Sequence, residues 1–283
     1  MKKTTSHPNP TPSRVLETVA KLIRLTEKEG VKWSHWQRPT NKEKARRNLA
    51  EYLQMGCPKV NDKGELVTNQ LPEGHEMARF ILGDDYITPE EVATTYGVGY
   101  TDEQLENFAN TLPDAQTILW RRINGYMLIA GPPTELNLLE VRELDNKLFY
   151  TETEGWYAES NQKFAQDDKV VAGEWVSIRK EEVPNSFSKT WRKQLKLITE
   201  DEHVPNAPTV SYAVTAYYKV RDIYLLSDKC VRTSSVSADG NHVCVGDHDT
   251  GGFCINHYRD HARYGHIGVS SAVSEENREN LIA

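Results

Sequence analysis

The chain has no apolar run long enough to cross a bilayer, and its start, Met1-Lys2-Lys3-Thr4-Thr5, lacks the apolar core of a signal peptide. The expectation is therefore no membrane insertion and cytoplasmic synthesis without Sec export, which is compatible with release on a virion. Four Cys in 283 residues are too few for a disulfide scaffold. The sequence contains no Cys-x-x-Cys pair, no His-Glu-x-x-His helix and no Gly-x-Ser-x-Gly elbow. Three common frameworks for zinc binding, metalloproteolysis and serine hydrolysis are thus missing. What is present is ordinary for a globular protein: 38% apolar residues and a net charge of −7. That acidic balance disfavours nonspecific nucleic-acid or membrane-surface binding, and the length accommodates one or two domains.

One further absence is local. Residues 241–268 contain no Lys, Glu, Gln, Met or Trp, although these types make up 62 of the 283 residues. Independent draws from this composition would give such a 28-residue window about once in a thousand. The same window holds five of the nine His and two of the four Cys. Ordinary surface would show Lys and Glu. The genetic code offers a reason: an Asn codon, AAC, whose adenines alone change reaches every residue type except these five. His242, Cys244, Asp247, His248, Cys254, His257, Tyr258, Asp260, His261, Ala262, Tyr264, Gly265 and His266 all fit.

In these features the segment resembles the variable region of proteins diversified by retroelements, which mutate template adenines and write the result into the 3′ end of a target gene. The likeness is specific over about 240–272 and looser over about 140–283. It implies a C-type-lectin-like fold, related to formylglycine-generating enzymes, that displays variable side chains as a binding face. The ligand-binding set would be His242, Cys244, Asp247, His248, Cys254, Asn256, His257, Tyr258, Asp260, His261, Tyr264 and His266, with no catalytic residue, no metal and no cofactor. Formylglycine-generating enzymes use two cysteines of this fold as a copper site. Here Cys244 and Cys254 stand among apparently exchangeable residues, so that activity does not transfer.

The spacing fits display. His242-Val243-Cys244-Val245 alternates with period two, placing the Val pair on one face and the His/Cys pair on the other. Ile255, Ile267 and Val269 are further apolar anchors, and Gly246, Gly251, Gly252 and Gly268 supply turns or close approach. The rival reading is a metal-dependent enzyme. His242-x-Cys244 and Cys254-x2-His257-x3-His261 carry ligand-type residues, and a Cys244–Cys254 disulfide is conceivable across neighbouring strands. A structural phage component without diversification is the third reading.

Along the chain, 1–12 reads as a flexible arm and 13–112 as a helical region. Helices are expected at 13–29 and 41–55, with capping boxes at Thr88-Pro89-Glu90-Glu91 and Thr101-Asp102-Glu103-Gln104. Trp33 to Pro39 reads equally as an interaction loop or as packing between the first two helices. Residues 113–283 would hold a hairpin, with Asn124-Gly125 turning between strands at 117–120 and 126–129, and then the lectin-like domain with its variable segment at 241–268. Within it, helices are expected from Ser188 to Lys196 and from Thr209 to Lys219, with strands at 175–178, 223–226 and 231–235. The aromatics at 156, 157, 175, 191, 212, 217 and 218 are expected in the core. The whole is α+β: a helical N-terminal region, then a domain of short strands and two helices. Expected partners are a protein or glycan on a target cell surface, and a virion or tail component through the N-terminal region, with no nucleic acid.

Overall fold

The computed structural model describes residues 73–150 and 155–273, all within one unit, Glu65–Ala283. The arm at 1–12, the helices expected at 13–29 and 41–55, and the Trp33–Pro39 segment lie outside the described residues.

Helix α1 (Gly74–Leu82) buries Met77, Ala78, Ile81 and Leu82, the spacing of a one-sided helix. Strand β1 (Tyr86–Ile87) follows. Thr88 then caps α2 (Pro89–Tyr96) with both arms of the expected box. Its hydroxyl accepts from the Glu91 N–H, and the Glu91 carboxylate accepts from the Thr88 N–H. Thr101 and Gln104 repeat the arrangement at α3 (Asp102–Asn110).

The expected hairpin is absent. Its first strand belongs to α4 (Ala115–Ile123), capped by Asp114, whose carboxylate accepts from the Thr117 N–H. Ala115, Ile118 and Arg121 recur at helical spacing, whereas four residues read alone do not separate period 2 from 3.6. Asn124-Gly125 is therefore a helix stop, with Gly125 at φ 76. Strand β2 (Tyr126–Ala130), buried throughout, continues from it.

The remaining elements are β3 (Leu136–Asn137), α5 (Leu138–Glu143), α6 (Phe164–Asp167), β4 (Lys169–Val170), β5 (Trp175–Arg179), α7 (Trp191–Gln194), β6 (Glu202–His203), α8 (Ala207–Arg221), β7 (Cys230–Val236), β8 (His242–Asp249), β9 (Gly252–His257), β10 (Ile267–Val269) and β11 (Ala272–Val273). Asn206 caps α8 by accepting from the Thr209 N–H. The helix expected from Ser188 begins after Thr190 instead, because Ser188 itself sits at φ 55. The strand expected at 223–226 does not form. Asp222 and Leu226, at φ 56 and 57, turn the chain there.

The strands make a five-stranded sheet, β1-β2-β5-β11-β6, a four-stranded sheet, β10-β7-β8-β9, and a β3-β4 pair. Helix α8 touches β5 of the first sheet and β7 and β8 of the second. It is consequently buried on nearly every side over Ala207–Tyr217 rather than along one stripe. Helices mixed with mainly antiparallel sheets give the α+β class that the sequence implies.

The core runs across residue 112, where the sequence reading divides the chain. Strand β1 pairs in parallel with β2, and the Phe108 ring meets Trp175 at 4.9 Å. Asp85, buried after α1, accepts from Arg122 at 3.0 Å and from Tyr217 at 3.0 Å, and pairs with Lys180 at 2.7 Å. Among the described residues no helix is long and apolar enough to cross a membrane.

Candidate functional site

The site is built on β7, β8 and β9. Val231 pairs with Val245, which pairs in turn with Ile255. Val243, Val245 and Ile255 face the core, as the alternation requires, and Ile267 and Val269 are fully buried on β10. The opposite face of β8 and β9 and the loop at 258–266 carry the side chains of interest.

There, Tyr258, Tyr264 and His266 form an aromatic group with ring centroids 5.0 to 6.2 Å apart. The two tyrosines roof a small apolar cluster of Cys230, Cys244 and Ile267. Asp247 accepts a hydrogen bond from the Cys230 thiol at 3.1 Å. Asn256 is exposed, and Cys254 is half-buried beside it. His261 and His266 are exposed at the loop. Asp260 ties the loop down: its carboxylate accepts from the His242 N–H at 3.1 Å and meets Nδ1 of the same ring at 2.7 Å. Trp191 of α7 stacks on that ring at 3.8 Å, and its N–H donates to the Asp260 carbonyl.

Two expected display residues are not displayed. Cys244 is fully buried beneath the tyrosine roof, because the 258–266 loop folds over its face of β8. His248 is also fully buried. A register shift after Gly246 turns its ring among Tyr218, Tyr224 and Phe253, at 5.2, 4.8 and 5.4 Å. His257 is half-exposed but belongs to another environment, its ring tilted against Trp156 at 4.5 Å and 3.3 Å from Asp239.

The electrostatics follow the burial. Among the described residues neither His248 nitrogen has a hydrogen-bond partner, and desolvation holds its pKa down at about 4. Burial, opposed by the Arg232 charge, pushes the Cys244 thiol up to about 12, so it is not a thiolate nucleophile at neutral pH. Cys230, Cys244 and Cys254 are all free. Cys244 lies opposite Asn256 while Cys254 lies opposite Gly246, so the two are staggered rather than facing. Among the described residues no three His, Cys, Asp or Glu side chains converge as metal ligands.

Sequence reading missed the support beneath the loop. Arg232 is fully buried. It donates to Gln194 Oε1 at 2.8 Å and to the Lys189 and Arg259 carbonyls at 3.4 and 3.3 Å. Gln194, also buried, donates to the Ser186 and Ile267 carbonyls. No local signal marks this support: Arg232 leaves β7 on the same face as Cys244, opposite the core-facing Val231, and its burial comes from the 258–266 loop folding over that face. Of the aromatics, Tyr157, Trp175, Tyr212 and Tyr217 are core residues as expected. Trp156 and Trp191 flank the site instead. A shallow cleft of about 210 Å³, lined by Tyr150, Trp156, Phe253, Cys254, Ile255 and Asn256, runs along the outer edge of β9.

The chain matches no described protein family, no curated protein and no solved structure.

Proposed function

We propose that the outer face of β8 and β9, with the 258–266 loop, is a ligand-binding surface whose side chains are exchangeable on a fixed scaffold. This is the surface that retroelement-diversified proteins present on a C-type-lectin-like domain. The supporting observation is the division of the segment by burial. Its apolar anchors, Val243, Val245, Ile255, Ile267 and Val269, are buried, while Asn256, His261 and His266 are exposed, and His242, Asp247, Cys254, Tyr258, Asp260 and Tyr264 are half-exposed around them. Tyrosine provides a stiff amphipathic contact and Asn, Asp and His provide adaptable hydrogen bonding, the composition of an antibody-type paratope. The ligand is a protein or glycan of a target cell surface, and the chain is phage- or prophage-encoded, with its N-terminal segment attaching it to a virion or tail. Modest single-site affinity would be raised by multivalent display.

The deciding experiment replaces Asn256, His261 and His266 with combinations of residues encoded by NNC codons. The variants are scored for binding to a panel of bacterial cells. Changed cell preference at unchanged melting temperature is expected. Variants that keep one identical preference would sink the reading. Sequencing the encoding locus gives a second check: a near-identical repeat differing only where it carries adenine, near a reverse-transcriptase gene, is expected.

A further inference from the structure

The loop that carries the exchangeable residues is anchored on a segment that lies outside the diversified stretch and is uniformly cationic. From Ser186 to Ile198 the chain carries Lys189, Arg192, Lys193 and Lys196 and no acidic residue. In a protein of net charge −7 this is a local inversion of sign. The fold puts this segment against the loop by main-chain bonds. The Ser188 N–H donates to the Tyr264 carbonyl and the Trp191 N–H to the Asp260 carbonyl, both at 2.9 Å. The buried Arg232 guanidinium holds the Lys189 and Arg259 carbonyls together. Arg192, Lys193 and Lys196 are exposed on one side of this seam, and Arg259 and Arg263 are exposed on the other. Among the described residues none of these cations makes an ion pair within 4.0 Å; elsewhere Lys169, Lys180, Lys219 and Lys229 are paired, and the unpaired Lys147 and Lys163 stand singly. Asp260, the carboxylate within the 258–266 loop, is already engaged by His242.

We infer that the 186–198 side of this cationic seam is a constant half of the binding site, and that it selects acidic polysaccharide as the ligand class while the exchangeable side chains choose among such polymers. The inference rests on the display reading and narrows its ligand. Unpaired guanidinium and ammonium groups bind carboxylate, sulfate or phosphate by charge-assisted hydrogen bonds. The half-exposed rings of Trp191, His242, Tyr258 and Tyr264 border the seam and offer apolar faces to sugar rings. A local patch on an acidic protein suits a ligand with charges at intervals. A long, dense polyanion such as nucleic acid would meet repulsion beyond the patch. Because these charges are at the surface, binding should weaken as salt shortens the screening length.

The test uses the full chain and polymers of matched length: hyaluronate and a sparsely carboxymethylated dextran, whose charges are spaced apart, with neutral dextran and single-stranded DNA. Hyaluronate and the carboxymethylated dextran should bind, neutral dextran should not, and binding should fall at least tenfold between 50 and 300 mM salt, roughly as counterion competition dictates. The double variant Arg192→Glu/Lys193→Glu should lose at least tenfold affinity for both acidic polymers with its melting temperature unchanged. DNA bound as tightly as the acidic polysaccharides, equal binding of neutral dextran, or full affinity in the double variant would each overturn the proposal. So would no binding to any acidic polymer. In that last case the display reading still stands if exchange of Asn256, His261 and His266 redirects cell preference, and both readings fail if it does not.

Discussion

His248 shows how one residue type within the diversified segment takes a role that its neighbours do not. Its ring is enclosed by three aromatic rings, without a hydrogen-bond partner among the described residues, and its pKa is depressed to about 4. The neutral form is the one that fits. The unfolded chain therefore binds the proton more readily, and stability is present above the unfolded value of about 6.5 and is lost as pH falls toward 4. Thermal melts between pH 7 and 4 should show a loss of roughly 2–3 kcal/mol from this residue, and His248→Phe should remove most of it. A second loss belongs to Glu91, whose carboxylate is held down at about 2 by Arg221, Arg79 and the Thr88 N–H against the opposing cost of burial. It appears only below about pH 4.5. A variant whose acid-side loss matches that of the parent would remove His248 as the cause. Two glycines make a parallel residue-scale contrast. A Cβ on Gly246, at φ 148, would stand 2.2 Å from the Lys229 carbonyl oxygen, while one on Gly265 would meet nothing within 4 Å. Gly246→Ala should cost roughly 2–4 kcal/mol and Gly265→Ala less than about 0.5, read as shifts in denaturant midpoint.

At the scale of elements, the β8–β9 hairpin and the 258–266 loop divide into layers that differ in tolerance. Asn256, His261 and His266 are outermost, and their joint exchange for Ser, Thr or Asp should change stability by less than about 0.5 kcal/mol each. Asp260 joins the loop to β8 through the His242 main chain and ring. Asp260→Ala should therefore cost roughly 1–3 kcal/mol, since it leaves half-buried donors unpaired. Tyr212→Ala and Trp175→Ala, deep in the core, should cost roughly 3–5 kcal/mol. Urea melts that rank Asp260→Ala with the outer residues would contradict the tie. The capped helices α2 and α3 were readable because their boxes are complete within four residues, Thr88 to Glu91 and Thr101 to Gln104. Helix α4 was misread because its cap, Asp114, precedes a run whose side chains suit either period, and the Asn124-Gly125 pair ends a helix as readily as it turns a hairpin.

For the whole molecule, the consequence is that 73–112 is not a detachable helical region. It supplies β1 to the five-stranded sheet, Ile81, Leu82 and Phe108 to the core, and Asp85 to a cluster reaching α4, α8 and Lys180. A fragment beginning at residue 113 should lack a cooperative thermal transition, whereas one beginning at residue 65 should melt as one unit by circular dichroism. A cooperative transition in the shorter fragment would show that its core is self-sufficient. Asp85→Ala in the intact chain should cost roughly 2–3 kcal/mol, because it leaves the half-buried Arg122 and Lys180 and the Tyr217 hydroxyl without their shared buried acceptor.

The sequence by itself determined the α+β class, the capped helices, the inward set Val243, Val245, Ile255, Ile267 and Val269, and the compositional oddity of 241–268. Each of these is written in local period, local capping or residue choice, and none needs a distant partner. Only the tertiary structure decided that Cys244 lies under Tyr258 and Tyr264, that His248 turns inward past a register shift, and that Arg232 and Gln194 hold the loop onto the cationic segment around α7. Those outcomes depend on contacts between residues tens of positions apart. A side chain's burial is set by what folds over it, and the alternation of a strand fixes only which face it leaves from.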